Sequence, residues 1–181
     1  MRQIVLDTET TGLNVKDGHR IIEIACLEVV TGRYKPKRYH TRVNPQREIE
    51  SGATKVHGFT SRDLVGAPVF SAVAADLLEF IDGAELLIHN AQFDVAFLDA
   101  ELDRMGLRGI EAVCTFTDTL AIARQLHPGQ NNSIDALCKR YGIAPNPQPS
   151  CVQQDVELVA RIYLAMTGKT PLRRKSDRAR R

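Results

Sequence analysis

Residues 3–13 read QIVLDTETTGL, an apolar run followed by acids and threonines. The run QIVLD at 3–7 predicts a short buried strand. Asp7 and Glu9 lie two positions apart, so in an extended chain both carboxylates project from one face of the sheet. Such a pair usually faces solvent. Two carboxylates this close repel each other, and the repulsion raises the pKa of at least one of them unless a cation neutralises the charges. This stretch therefore predicts a strand with a candidate charged site at its carboxyl end.

The segments that follow alternate between strand and helix patterns. A β-branched run at 20–30, a turn signal and the alternating segment 39–45 predict, with the first strand, a three-strand antiparallel meander. Short apolar runs at 84–90 and 112–118 predict two buried strands. Apolar residues recur at helical spacing in five segments, at 68–83, 91–105, 119–127, 133–141 and a last stretch that ends at Met166. This order predicts an α/β fold, a mixed sheet with helices on both faces.

Length and composition exclude several classes of protein. The 181 residues are 43% hydrophobic and 25% charged, which is typical of a globular chain and excludes a disordered or disulfide-scaffold protein. The apolar runs are too short to cross a membrane, and Asp7 precedes any signal-peptide core. The four cysteines form no CxxC pair and are expected to be reduced, structural thiols. We expect a cytoplasmic protein without membrane contact.

The net charge of +2 is unevenly distributed. Residues 169–181 carry seven basic side chains against Asp177, a charge of +6, which leaves −4 over residues 1–168. We expect one domain over residues 1–168 and a solvated, disordered tail over 169–181, with attraction to phosphate as the alternative for the tail. The negative body offers little to hold a nucleic-acid duplex, so single-stranded ends are favoured.

Two further acids stand among apolar residues. Asp94 lies between Phe93 and Phe97, and Asp155 falls on the apolar stripe of the last helix. Taken singly, each is equally well explained as a capping or salt-bridged acid. If they converge with the acid pair of the first strand, four carboxylates suit Mg²⁺ or Mn²⁺, and their charges balance two such ions. Two metal ions favour hydrolysis of a phosphodiester.

In combination these motifs resemble the DEDD 3′–5′ exonucleases, which have an RNase H-like fold. The resemblance rests on IVLDTETTGL at 4–13, HNAQFDVAFLDAEL at 89–102 and the helix that carries Asp155. Four further strings, HRIIEIACLEVV, VHGFT, TDTLAIARQLHPGQNNSIDALCKRYGI and IYLAMTG, resemble the proofreading epsilon subunits of bacterial DNA polymerase III. The similarity covers nearly all of residues 2–168.

The resemblance implies a site for two Mg²⁺ or Mn²⁺ and a site for the 3′-terminal nucleotide of DNA. The implied catalytic metal ligands are Asp7, Glu9, Asp94 and Asp155. The implied nucleotide-binding residues are Thr10, Thr11, Gly12, Leu13, His57 and Phe93. Gly12 permits close backbone approach, and Phe93 offers a stacking surface or, equally, packs in the core. The implied partners are a single-stranded DNA 3′ end and a polymerase III catalytic subunit, although no segment here resembles the polymerase-binding one.

One departure from the family concerns the general base. The histidine subclass has its base five positions before the last Asp, where this chain has Ser150; the tyrosine subclass uses the next position, which is Cys151 here. Serine is not a base near neutral pH, so we expect slowed hydrolysis unless His57 or His89 substitutes. Ser150 also fits a capping box that opens the last helix.

Other functions fit the sequence to different extents. A degenerate module that binds 3′ ends or a polymerase subunit without cutting is favoured by Ser150 and opposed by the four retained acids. A dinucleotide-binding oxidoreductase and an acyl hydrolase are excluded because GxGxxG and GxSxG are absent. The sequence leaves the choice between DNA and RNA open.

Overall fold

The computed structural model describes residues 2–29, 36–145 and 151–168. The strands are β1 (Gln3–Thr10), β2 (Ile21–Val29), β3 (Arg38–Arg42), β4 (Glu85–Ile88) and β5 (Thr115–Asp118). The helices are α1 (Ser51–His57), α2 (Phe70–Ile81), α3 (Ala91–Asp103), α4 (Thr119–Leu126), α5 (Ile134–Tyr141) and α6 (Cys151–Met166). None of the helices within these ranges has the length and apolarity needed to span a bilayer.

The five strands form one mixed sheet in the order β3-β2-β1-β4-β5. β1 pairs antiparallel with β2, and β2 with β3, which confirms the predicted meander. β4 lies parallel to both β1 and β5. The carboxyl ends of these three parallel strands therefore meet at one edge of the sheet, where ligands bind in open α/β sheets.

Helices cover both faces of the sheet, as predicted. Ile4 and Leu6 on β1 pack in the core formed with α2 and α3, whereas Val5 packs against α6. Because side chains alternate along a strand, Asp7 and Glu9 share the face of Val5. The strand period thus places both acids on the side of the sheet that α6 covers.

Several boundaries differ from the sequence prediction for local reasons. The helix α1 was not predicted, because none of its residues is buried and it carries no apolar stripe. β5 begins at Thr115 because the preceding residues Ile110–Ala112 form a 3₁₀ turn. Ser133 caps α5, while the Asn132 side chain donates to backbone carbonyls elsewhere. The predictions on residues 146–150 and on the basic tail lie outside the described residues.

The cysteines whose side chains the structure describes behave as expected. Cys26, Cys114 and Cys138 are free thiols, and all three are buried. Burial raises the pKa of the Cys114 thiol to about 11. A thiol that stays protonated at neutral pH is neither a good nucleophile nor a good metal ligand, which supports a structural role.

A buried ion pair joins the start of β2 to α3, and we expect it to be required for stability. Arg20 donates two hydrogen bonds to the Glu101 carboxylate, at 2.6 and 2.7 Å, and the Ile21 N–H donates a third at 3.3 Å. Glu101 is 2% exposed. Glu101→Ala leaves these donors without their partner, so the free energy of unfolding should fall by about 3 kcal/mol in urea denaturation. The exposed Glu79→Ala is the control; an equal change in both variants would contradict this expectation.

Candidate active site

The four predicted acids lie on β1, α3 and α6 around the carboxyl edge of the sheet. Asp94 is in the first turn of α3, which starts immediately after Asn90. Asn90 adopts the left-handed conformation, with φ of 76°, and this turns the chain directly from β4 into the helix. Asp155 is in the second turn of α6, where it is half-buried.

Asp94 is joined to β1 by two hydrogen bonds. Its Oδ1 accepts from the Thr8 backbone N–H at 3.1 Å and from the Thr8 hydroxyl at 2.7 Å. Thr8 lies between Asp7 and Glu9, and Asp94 is 3% exposed. These bonds fix the first turn of α3 beside the acid pair of β1, so the structure brings Asp94 next to two acids that lie 85 and 87 positions before it in the sequence.

Three of the acids act on the fourth, Asp7. Burial raises the pKa of Asp7 well above its ordinary value, and the carboxylates of Asp94, Asp155 and Glu9 raise it further in that order. Burial also raises the pKa of Asp94 to about 7, although the Thr8 hydrogen bonds act in the opposite direction. A negative charge on Asp7 is therefore costly without a nearby cation.

The acids are close enough to repel but are not arranged as a coordination shell. In the three described ranges, no three acidic, histidine or cysteine side chains form a ready-made metal-binding group. The donor set nevertheless fits a hard divalent cation, because it consists of carboxylate oxygens only. A cation would also relieve the repulsion that raises the pKa of Asp7.

The raised pKa of Asp94 predicts a stability change with pH in the metal-free protein. Between its ordinary pKa of 3.8 and its folded pKa of about 7, the folded state holds a proton that the unfolded chain has lost. The free energy of unfolding should therefore fall as the pH rises through this range. Urea denaturation at pH 5 and pH 8 with a chelator measures the change. In Asp94→Asn the difference in free energy of unfolding between pH 5 and pH 8 should be smaller. A wild type that is more stable at pH 8 than at pH 5 would contradict the expectation.

The predicted nucleotide-binding segment begins at Thr10, the last residue of β1. Thr10, Thr11 and Gly12 are buried, and the Thr10 hydroxyl donates to the Gly12 carbonyl at 2.7 Å. Leu13 differs from its neighbours because its side chain is 83% exposed. The segment therefore presents one large apolar side chain to solvent at the edge of the sheet that carries the acids.

The two other predicted nucleotide-binding residues approach this edge from different helices. His57 ends α1, and burial lowers its pKa, although the Thr10 backbone and the Glu23 carboxylate act in the opposite direction. Phe93 precedes Asp94 on α3, is half-buried and packs on the Phe97 ring at 4.8 Å between centroids. Phe93 thus contributes to the core while keeping part of its ring exposed.

Comparison with known proteins places this arrangement in a family. The family model for exonucleases (RNase_T) matches residues 4–163. The chain belongs to this exonuclease family. The DNA polymerase III subunit epsilon of Pasteurella multocida is 46% identical over 173 residues, which cover 92% of this chain and 68% of that protein.

Solved exonuclease structures share the fold. The nuclease domain of 3′hExo, a DEDDh family member bound to rAMP, superposes with a TM-score of 0.74 at 16% identity, covering 95% of this chain and 94% of its own. Exonuclease X in complex with 5′ overhanging duplex DNA gives a TM-score of 0.65 at 24% identity, with coverages of 93% and 95%. These similarities confirm the RNase H-like fold of this exonuclease.

The two histidines considered as substitute bases are hydrogen-bonded in this exonuclease, within the described residues His89 at both ring nitrogens and His57 at Nδ1 alone. His89 Nε2 lies 3.0 Å from the Asn132 carbonyl and its Nδ1 lies 3.1 Å from the Thr119 hydroxyl. His57 Nδ1 accepts the Phe59 N–H at 3.1 Å, so in the neutral ring the proton is on Nε2. Neither arrangement favours a general base. Ser150, which occupies the family's base position, lies outside the described residues.

Sequence analysis missed a second acid beside Glu9. Glu23 lies directly opposite Glu9 in the β1–β2 pairing, is fully buried, and has its Oε1 2.8 Å from His40 Nε2 and 3.8 Å from Arg42 Nε. Like charges directly opposite each other destabilise a sheet, and the Arg42 guanidinium on β3 offsets this repulsion. The available signal was an acid within the otherwise apolar run IIEIAC.

Proposed function

We propose that this chain is a 3′–5′ exonuclease that removes nucleotides from single-stranded DNA 3′ ends with two Mg²⁺ or Mn²⁺, as in replicative proofreading. The observation that carries the proposal is the position of Asp94, Asp155 and Glu9 around the Asp7 carboxylate at the carboxyl edge of the sheet, where all three raise the pKa of Asp7. A chain without a cation to bind has no physical reason to keep these charges together.

In this proposal the four acids Asp7, Glu9, Asp94 and Asp155 hold the metal ions. Bound there, the ions would activate a water molecule and stabilise the leaving oxygen of the phosphodiester. Asp7 would hold metal together with the other three acids, all of which raise its pKa. Thr8 holds Asp94 in place through its backbone and hydroxyl hydrogen bonds.

The segment Thr10–Leu13, with His57 and Phe93, is proposed to bind the terminal nucleotide. The exposed Leu13 side chain offers an apolar contact for a base. The half-exposed Phe93 ring provides a second apolar surface beside Asp94. Two exonucleases of similar fold support nucleic acid as the substrate, since one was solved with 5′ overhanging duplex DNA and the other with rAMP.

A polymerase III catalytic subunit is the proposed protein partner, and the proposed location is the cytoplasm. The support is the 46% identity to a DNA polymerase III epsilon subunit. Ser150 favours a second candidate function, in which the domain binds 3′ ends or the polymerase without cutting. Between the two we favour slow hydrolysis, because loss of a positioned base lowers a rate by about 10²–10⁴-fold rather than abolishing metal-assisted chemistry.

Degradation of a 5′-labelled single-stranded DNA oligonucleotide with Mg²⁺ or Mn²⁺ tests the proposal. We expect a ladder that shortens from the 3′ end and stops when a chelator is added. Asp7→Ala should abolish it, whereas Asp103→Ala, an exposed acid at the end of α3, should not. A chain that binds the oligonucleotide but never shortens it would instead support the non-cutting module. Equal degradation of an RNA oligonucleotide would contradict the assignment of DNA.

A further inference from the structure

A buried histidine lies directly against the proposed nucleotide-binding segment. His19 is 3% exposed, and its ring faces Gly12 so closely that a Cβ built on Gly12 would be 2.3 Å from the ring Cε1. That distance is far below van der Waals contact, so only glycine fits at position 12 while the ring is in place. The glycine and the histidine therefore form one packing unit.

Both ring nitrogens of His19 have polar partners. Thr11 Oγ1 lies 3.0 Å from His19 Nδ1 and also accepts the Arg20 N–H at 3.0 Å. His19 Nε2 lies 3.1 Å from Glu50 Oε1. The ring thus bridges the segment Thr10–Leu13 to the residue that precedes α1.

Backbone hydrogen bonds strengthen the same junction. The Glu50 N–H donates to the Thr11 carbonyl at 2.9 Å, and the Thr11 N–H donates to the Arg20 carbonyl at 2.9 Å. Glu50 is the residue immediately before α1, and His57 ends that helix. The histidine therefore lies between the two walls of the proposed nucleotide site, the segment Thr10–Leu13 and α1.

We infer that His19 is a positioning residue that sets the distance between these two walls, an inference that rests on the proposed nucleotide site. Its buried ring acts through Gly12, Thr11 and Glu50 rather than by touching the substrate. The acids are held by other contacts, such as those from Thr8 to Asp94. Loss of the ring should therefore weaken nucleotide binding much more than it slows the chemical step.

The test compares His19→Ala with the wild type in two measurements. The first is the dissociation constant of thymidine 5′-monophosphate with Mn²⁺, measured by calorimetry, which does not depend on catalysis. The second is the separation of KM from kcat on single-stranded DNA. We expect the dissociation constant and KM to rise about tenfold, the contribution of roughly one hydrogen bond, with kcat little changed. His127→Ala is the matched control, because this histidine bonds the Tyr141 hydroxyl away from the segment.

Two further variants keep the test decisive if His19→Ala folds poorly. Glu50→Ala removes the carboxylate that contacts the His19 ring. Because the Glu50 side chain is 58% exposed, this variant should fold normally, and its dissociation constant for the nucleotide should also rise. Gly12→Ala should lower the melting temperature of the wild type strongly but lower that of His19→Ala much less, because the clashing ring is gone. Additive losses in this pair would contradict the packing unit.

The outcomes separate the inference from the proposed function. A wild type that binds the nucleotide, with His19→Ala and Glu50→Ala unchanged in KM and dissociation constant, overturns the positioning role alone. A fall in kcat without a change in KM also overturns it. A folded wild type that neither binds the nucleotide nor cuts DNA overturns the proposed function and the positioning role together.

Discussion

Asp7→Asn is expected to abolish hydrolysis while stabilising the metal-free protein. The pKa of Asp7 is raised by burial and by three neighbouring carboxylates. A raised pKa means that the stability contributed by the protonated form is lost as the pH rises through the folded pKa. An uncharged amide of the same shape avoids that loss, so the melting temperature at pH 8 in a chelator should exceed that of the wild type.

The effect on activity should be larger than the 10–100-fold loss typical of a residue that only supports a metal ligand. Hydrolysis of a labelled single-stranded oligonucleotide by Asp7→Asn should fall to the level that the wild type shows when no metal is added. Asp103→Asn provides the control, because this acid is exposed at the end of α3. The combination of lost activity and gained stability is the diagnostic result. If Asp7→Asn retained hydrolysis, Asp7 would not be a metal ligand. If it lost stability at pH 8, the charge of Asp7 would not be costly in the metal-free protein.

The sheet and the acid pair were predictable because their signals are local. β1 is buried on both faces, so its apolar residues identify a strand, and the period of two then assigns Asp7 and Glu9 to one face. Asp94 was recognisable because an acid between two phenylalanines requires a partner. The partner itself, Thr8, is a contact across 86 positions, which no local pattern specifies.

Residues that act through distant contacts were not predictable in the same way. The helix α1 has no buried residue, so it produces no apolar period. The role of His19 depends on the missing Cβ of Gly12 and on Glu50, which come together only when β1, β2 and α1 are assembled. Glu23 was detectable in principle, since an acid inside an apolar strand indicates a buried pair, but its partners on β3 were not.

Ser150→His is expected to accelerate hydrolysis by about 10²–10⁴-fold, the usual contribution of a positioned general base. By family resemblance this position, five residues before Asp155, is where a histidine acts as base, and serine does not accept a proton near neutral pH. The two histidines considered as substitutes are poorly suited to accept a proton. His57 Nδ1 already accepts the Phe59 N–H, and both ring nitrogens of His89 are hydrogen-bonded. The gain should appear in kcat, because the proposed nucleotide-binding residues are unchanged.

The pH profile identifies the new group. The rate of Ser150→His should rise as the pH passes roughly 6.5, the ordinary pKa of histidine, because only the neutral ring accepts a proton. Ser150→Ala is the control, and it should match the wild type because the hydroxyl contributes no base. The gain should also vanish in combination with Asp7→Asn, since a base has no activated water to act on without the metal ligand. A wild type already as fast as Ser150→His would mean that another group supplies the base.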